Sequence, residues 1–177
     1  MEFLFNQEII NNVINEIKKS DEYVRIAVFQ IHNKSLYDAI NEILNNGIKV
    51  EIFTLPYDSI NIDNRDIVIE RMEKVKSNGA KIYFSHWGVG DPERTTTAVG
   101  RWYSFHGKFI VTDKSAISLS ANLTEDSELD AMLIYNDEER IKEFNDKFDM
   151  LIKLFINDNI KNKIVESKYI QDLKNNQ

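Results

Sequence analysis

Cysteine is absent from the 177-residue chain, which excludes disulfides, thiolate nucleophiles and cysteine-ligated zinc. A reducing cytosol suits such a composition, and a cytoplasmic location is the expectation. Proline and glycine are scarce, at two and six residues, and no low-complexity linker divides the chain. One domain over residues 1–177 is therefore expected, with a helical extension from about residue 137 to the end. No apolar run is long enough to cross a bilayer. The opening MEFLFNQEII has an early acid and no basic stretch, unlike a signal peptide. Stable membrane association is not expected. Positive charge is also in deficit, with 22 Lys and Arg against 29 Asp and Glu, net −7. A protein that binds duplex DNA over a broad surface usually reads basic, but an acidic chain can still bind nucleic acid with its positive charge gathered in one groove. From Arg94 to Thr112 there is no acid, while Arg94, Arg101 and Lys108 are all present. A stretch of that length can lack acids by chance, so its weight depends on its neighbours.

Periodicity orders the rest. Ile9, Ile10, Val13, Ile14 and Ile17 fall at helical spacing, so a helix is predicted over 6–19. YVRIAVFQ (23–30) is β-rich. Asn33 or Ser35 can cap a helix through Leu36, Ile40, Ile43 and Leu44 that stops at Gly47. A strand (48–54), a helix (64–78) and a strand (80–86) follow. The junctions NNGIKVEIF and SNGAKIYFS resemble each other, each an Asn-Gly helix stop before an apolar strand. Strand–helix–strand–helix–strand predicts a parallel sheet, so the first half is α/β. Residues 87–101 read as a loop. Strand-like runs then cover 102–112, 116–121 and 130–135, and Ile141, Phe144, Phe148, Leu151, Ile152 and Phe155 mark a long amphipathic helix. These apolar stripes are read as core packing.

The informative segment is SFHGKFIVTDKSAISLSANLT (104–124). His106 and Lys108 are two apart on a strand, so they point to one face about 7 Å apart. That spacing lets them flank one phosphoryl group. Asp113 has the opposite parity and lies at the strand end, which suggests a structural role. A hairpin centred on Lys114 would set Lys108 opposite Ser120 and His106 opposite Asn122, about 5 Å across. A slip of one residue would undo that alignment. Four polar side chains converging between apolar neighbours call for a shared polar purpose.

His106, Lys108 and Asp113 form the pattern H-x-K-x4-D, followed by Ser120-Ala-Asn122-Leu-Thr. This resembles the HKD motif of the phospholipase D superfamily. The upstream run RIAVFQIHNKSLYDAINEILNNGIKVEIF is similar to that family's first strand, helix and second strand, and the resemblance covers roughly residues 5–155. Two departures stand out: Leu119 replaces the usual Gly before the motif serine, and the turn between Asp113 and Ser120 is one residue short. The resemblance implies a mixed sheet flanked by helices on both faces. It also implies two motifs per active site. The chain has one, so a C2 homodimer with the site at its interface is the simplest arrangement.

The implied chemistry needs no metal or other cofactor. One His106 attacks phosphorus and becomes a phosphohistidine, while the partner subunit's His106 protonates the leaving oxygen and later deprotonates water. Lys108 and Asn122 would hold the equatorial oxygens, with Ser120 assisting. An acid before the next strand, Asp130 in preference to Glu128, would orient His106. His86, Arg94, Arg101 and Trp102 surround the loop before the motif and are candidates for substrate binding. Trp87 and Trp102 suit either base stacking or core packing. His32 follows the first strand and reads as ordinary loop surface. Small single-motif members of the superfamily are commonly nucleases, so DNA or RNA is the first substrate expected. The alternatives are a phospholipid headgroup ester, and a catalytically idle nucleic-acid-binding or dimerising subunit of a larger assembly.

Overall fold

The computed structural model describes residues 1–6, 9–54, 65–84, 88–89, 102–103, 107–124 and 130–156. In chain order the elements are β1 (Glu2–Asn6), α1 (Ile9–Ile17), β2 (Tyr23–Val28), α2 (Lys34–Asn45), β3 (Lys49–Thr54), α3 (Arg65–Ser77) and β4 (Lys81–Phe84). Next come β5 (Gly88–Val89), β6 (Trp102–Tyr103), β7 (Lys108–Thr112), β8 (Ala116–Leu119), β9 (Asp130–Tyr135) and α4 (Glu138–Ile156). Seven strands form one mixed sheet in the order β1-β9-β8-β7-β2-β3-β4, and β5 pairs with β6 apart from it. β2, β3 and β4 are parallel, as the alternating first half requires, and the other neighbours are antiparallel.

Local chemistry accounts for the ends of the helices. Asn33 caps α2, its side-chain oxygen accepting from the Leu36 N–H at 3.0 Å. At the other end Gly47 takes φ +83°, Ile48 N–H reaches Ile43 O at 3.1 Å and Gly47 N–H reaches Leu44 O at 2.9 Å. The same pair of bonds closes α3 through Gly79 (φ +109°) and Ala80. Both ends are Schellman motifs, which explains the repeated Asn-Gly junctions.

α1, α2 and α3 pack on one sheet face. There Val13, Ile17, Leu36, Ile40 and Val75 meet Ile26, Ile52, Ile110 and Ile117. α4 covers part of the other face, where Phe148 joins Ala27 and Phe53. Arg25 fastens α4 to that face. Its guanidinium meets Glu51 at 2.9 Å, Asn145 at 3.0 Å and Asp149 at 3.1 Å, and lies over the Phe148 ring at 5.3 Å. β1 is absent from the sequence reading, which starts a helix at residue 6. Glu2–Asn6 instead pairs along β9 from Ile134 to Asp130. Five residues show too little alternation to reveal a strand whose partner is far along the chain.

Candidate active site

Lys108 opens β7 and pairs with Val28, the last residue of β2. It therefore stands at the carboxyl end of the parallel strands, where open α/β sheets form their crevices. By strand parity it shares a face with Ile110 and Thr112. Burial pulls its ammonium pKa below the ordinary lysine value. A partly desolvated cation acts on a nearby anion more strongly than one surrounded by water.

The expected alignment across the hairpin does not hold. Ile110 faces Ile117 and Val111 faces Ala116, so the register sets Lys108 opposite Leu119 instead of Ser120. The cause is the short turn: Thr112 N–H donates to Ser115 O at 2.8 Å, leaving only Asp113 and Lys114 between them. A hairpin centred on Lys114 would need one residue more. Ser120 turns to β9. Its hydroxyl donates to Asp130 Oδ1 at 3.0 Å and accepts from the Ala131 N–H at 2.9 Å. Ser120 and Asp130 thus form one unit, which the sequence reading treats as two separate contributors.

Asn122 reaches the same sheet end by another route. Leu123, next to it, bridges Ile31 in the turn beyond β2. Leu123 N–H donates to Gln30 O at 3.1 Å, and Leu123 O accepts from the His32 and Asn33 N–H groups at 2.8 and 3.2 Å. Asn122 Oδ1 is buried without a hydrogen-bond partner among the described residues. A buried polar atom left without a partner costs about 1–3 kcal/mol. A half-turn of the carboxamide exchanges its oxygen with its NH2, so the same position can offer a donor to an anionic oxygen. His32, expected on the surface, is only 8% exposed. The turn carries it under the Leu123 segment, a pairing no local pattern announces.

Asp113 lies at the opposite end of β7 and stays away from Lys108. Its carboxylate accepts from the Asp21 N–H at 3.2 Å and the Glu22 N–H at 3.3 Å, at the entry to β2, and meets Lys114 at 3.2 Å. Burial alone would raise its pKa. The Glu22 and Asp21 amides and the Lys114 ammonium outweigh burial and hold the carboxyl below the ordinary aspartate value. The motif aspartate thus binds β7 to the start of β2 and has a structural place in the fold.

His106, His86, Arg94, Arg101, Trp87 and Glu128 lie outside the described residues, as does the side chain of Trp102. No cluster of three or more His, Asp or Glu suited to a metal occurs among the described residues. No helix among them is long and apolar enough to cross a membrane. A cavity of about 700 Å³ among the described residues is lined by Tyr23, Gly47, Lys49, Gly79 and Lys81, at the amino ends of the parallel strands. A smaller one of about 270 Å³ adjoins Lys108. Size alone would favour the first, but Lys108 and the Asn122 segment converge at the other end.

Comparison with known proteins agrees with this architecture. The family described as "Cardiolipin synthase, PLD-like domain" matches residues 13–152. NucT from Helicobacter pylori is 19% identical with a TM-score of 0.67, over 86% of this chain and 97% of that one. Nuc from Salmonella typhimurium, described as a phospholipase D family member, is 15% identical with a TM-score of 0.64, over 84% and 91%. A phosphatidylserine synthase from Haemophilus influenzae is 15% identical with a TM-score of 0.56, over 87% of this chain and 38% of that one. At these identities the likeness is one of fold. No curated protein sequence matches the chain.

Proposed function

The chain belongs to the cardiolipin synthase, PLD-like domain family of the phospholipase D superfamily, and on that premise we propose that it is a metal-independent phosphodiesterase that cleaves DNA or RNA. The observation that carries this reading is that Lys108 and the Asn122 segment both pair at the carboxyl end of β2, one with Val28 and the other with Ile31 just beyond it. His106 precedes Lys108 by two residues, a separation the backbone cannot stretch beyond about 7 Å.

In the mechanism we propose, His106 attacks phosphorus and the P–O bond to the leaving group breaks. The partner subunit's His106 gives its proton to the departing oxygen. That imidazole then takes a proton from water, whose oxygen displaces the phosphohistidine and regenerates both groups. Lys108 and Asn122 neutralise the charge on the equatorial oxygens. The Ser120–Asp130 pair is assigned to orienting His106, which fits Asp130 at the start of β9 with its carboxylate already held by Ser120. Arg94, Arg101, Trp102 and His86 are assigned to holding the strand on either side of the scissile bond. The whole chain is taken as one domain acting as a homodimer. A second reading, a phospholipid headgroup ester as substrate, is kept because the matching family is described by a lipid enzyme.

The test is cleavage of labelled single- and double-stranded DNA and RNA in EDTA, beside cardiolipin vesicles. Wild type should cut nucleic acid and leave the vesicles intact, with binding that weakens steeply as salt rises. His106→Ala should abolish turnover and Lys108→Ala should remove most of it, both staying folded. Lipid turnover alone would transfer the assignment to the second reading. Cutting by His106→Ala at the wild-type rate would remove the nucleophile from the scheme, and inactivity on every substrate would indicate an idle binding subunit.

A further inference from the structure

The turn from Phe29 to Asn33 is held far more firmly than a chain reversal requires. Four successive carbonyls each accept from a different segment of the chain. Phe29 O takes the Thr54 hydroxyl of β3 at 3.2 Å, and Gln30 O takes the Leu123 N–H at 3.1 Å. Ile31 O takes the Tyr37 hydroxyl of α2 at 2.9 Å, and His32 O takes Arg71 Nη1 of α3 at 2.8 Å. Meanwhile the His32 and Asn33 N–H groups both go to Leu123 O. Both backbone polar groups of Leu123 are thus committed to this turn. The residue just before it is Asn122.

We propose that Arg71 and Tyr37 are positioning residues for Asn122, acting on its carboxamide through this turn. The proposal rests on the phosphodiesterase reading, because Asn122 needs exact placement only if it meets a phosphoryl oxygen. The two bonds suit the task. Arg71 brings an ionised donor, whose hydrogen bonds are roughly twice as strong as neutral ones. Tyr37 is 2% exposed, so its hydroxyl has little water to exchange with. Both hold the turn from its outer side, away from Leu123. Removing either donor frees a carbonyl beside the residues that fix Leu123. Displacement of a catalytic group by about 1 Å can cost a hundredfold in rate.

A role confined to fold stability predicts something different, and three variants separate the two. Arg71→Met keeps the stem and loses the donor, Arg71→Lys keeps one donor, and Tyr37→Phe removes a single hydroxyl. Each is measured for turnover of bis(p-nitrophenyl) phosphate and for backbone amide exchange in the free protein. Arg71→Met and Tyr37→Phe should lower kcat about tenfold with KM within about twofold of wild type. Exchange should quicken at His32, Asn33 and Leu123 and stay slow at Ile26 and Ile52 in the sheet. Arg71→Lys should recover most of both. Wild-type kcat in Arg71→Met and Tyr37→Phe would overturn the proposal, as would exchange that quickens across the whole sheet with no excess at Leu123. The exchange arm uses no substrate. If the wild type cleaves nothing, the phosphodiesterase reading fails, and exchange alone then decides whether these side chains hold the Asn122 segment.

Discussion

At the scale of single residues, the motif divides its labour between two ends of one strand. Lys108 begins β7 among the candidate catalytic groups, and Asp113 follows its last residue and receives the amides of Asp21 and Glu22. Asp113 is held below the usual carboxylate range in the folded chain, so it binds fewer protons there than when unfolded. Its contribution is complete above the unfolded pKa, near 3.9, and is lost as pH falls through the lower folded value. Asp113→Asn should therefore cost on the order of 1–2 kcal/mol at pH 7. The gap from wild type should close in thermal melts below about pH 4, and kcat per folded molecule should hold. A gap that persists unchanged into acid would refute the ionised anchor. The residues of the motif are legible in the sequence, because the H-x-K spacing fixes which side chains share a face. The company each keeps is not. Ser120 pairs with Asp130 because the hairpin turn has two residues, and no pattern in 104–124 distinguishes a two-residue turn from a three-residue one.

At the scale of elements, α2 and α3 end alike and enter parallel strands alike. Gly47 and Gly79 lie at positive φ, and a Cβ built on either meets nothing within 4 Å. Substitution there is a test of backbone conformation alone. Gly47→Ala should cost about 1 kcal/mol and Gly79→Ala more, since φ +109° lies further from what L-residues adopt. Gly47→Asn should cost less than Gly47→Ala, as asparagine tolerates this region. Denaturant midpoints with unchanged slopes would measure these losses; equal stability of all variants would mean that the stops impose no strain. These stops are legible because asparagine and glycine announce themselves. β1 is not legible, because its identity comes from β9, more than a hundred residues away. The buried turn around His32 is hidden for the same reason, since its partners are Leu123, Tyr37 and Arg71.

For the whole molecule, one motif per chain makes the proposed activity a property of pairs. If each reaction uses two imidazoles, a mixed dimer of wild type and His106→Ala has only one and should be inactive. After the two proteins are unfolded and refolded together, activity should fall as the square of the wild-type fraction. A linear fall would show that each subunit works alone, and sedimentation at the mass of a single chain would remove the shared site altogether. The parallel half of the sheet is legible from alternating strands and helices. The strands of the antiparallel half are legible as β-rich runs, but their register is not, because hairpin strands of four to six residues carry little pattern of their own.

The strand order has a consequence for biogenesis. β2 sits between β3, which follows it closely, and β7, which begins at Lys108. On the ribosome its outer edge stays bare until residues 108–112 have emerged, and the clasp of Leu123 on Gln30 comes later still. A nascent chain thus passes through a long aggregation-exposed interval. Lys108 and the Asn122 segment likewise reach the carboxyl end of β2 only after residue 123 has emerged.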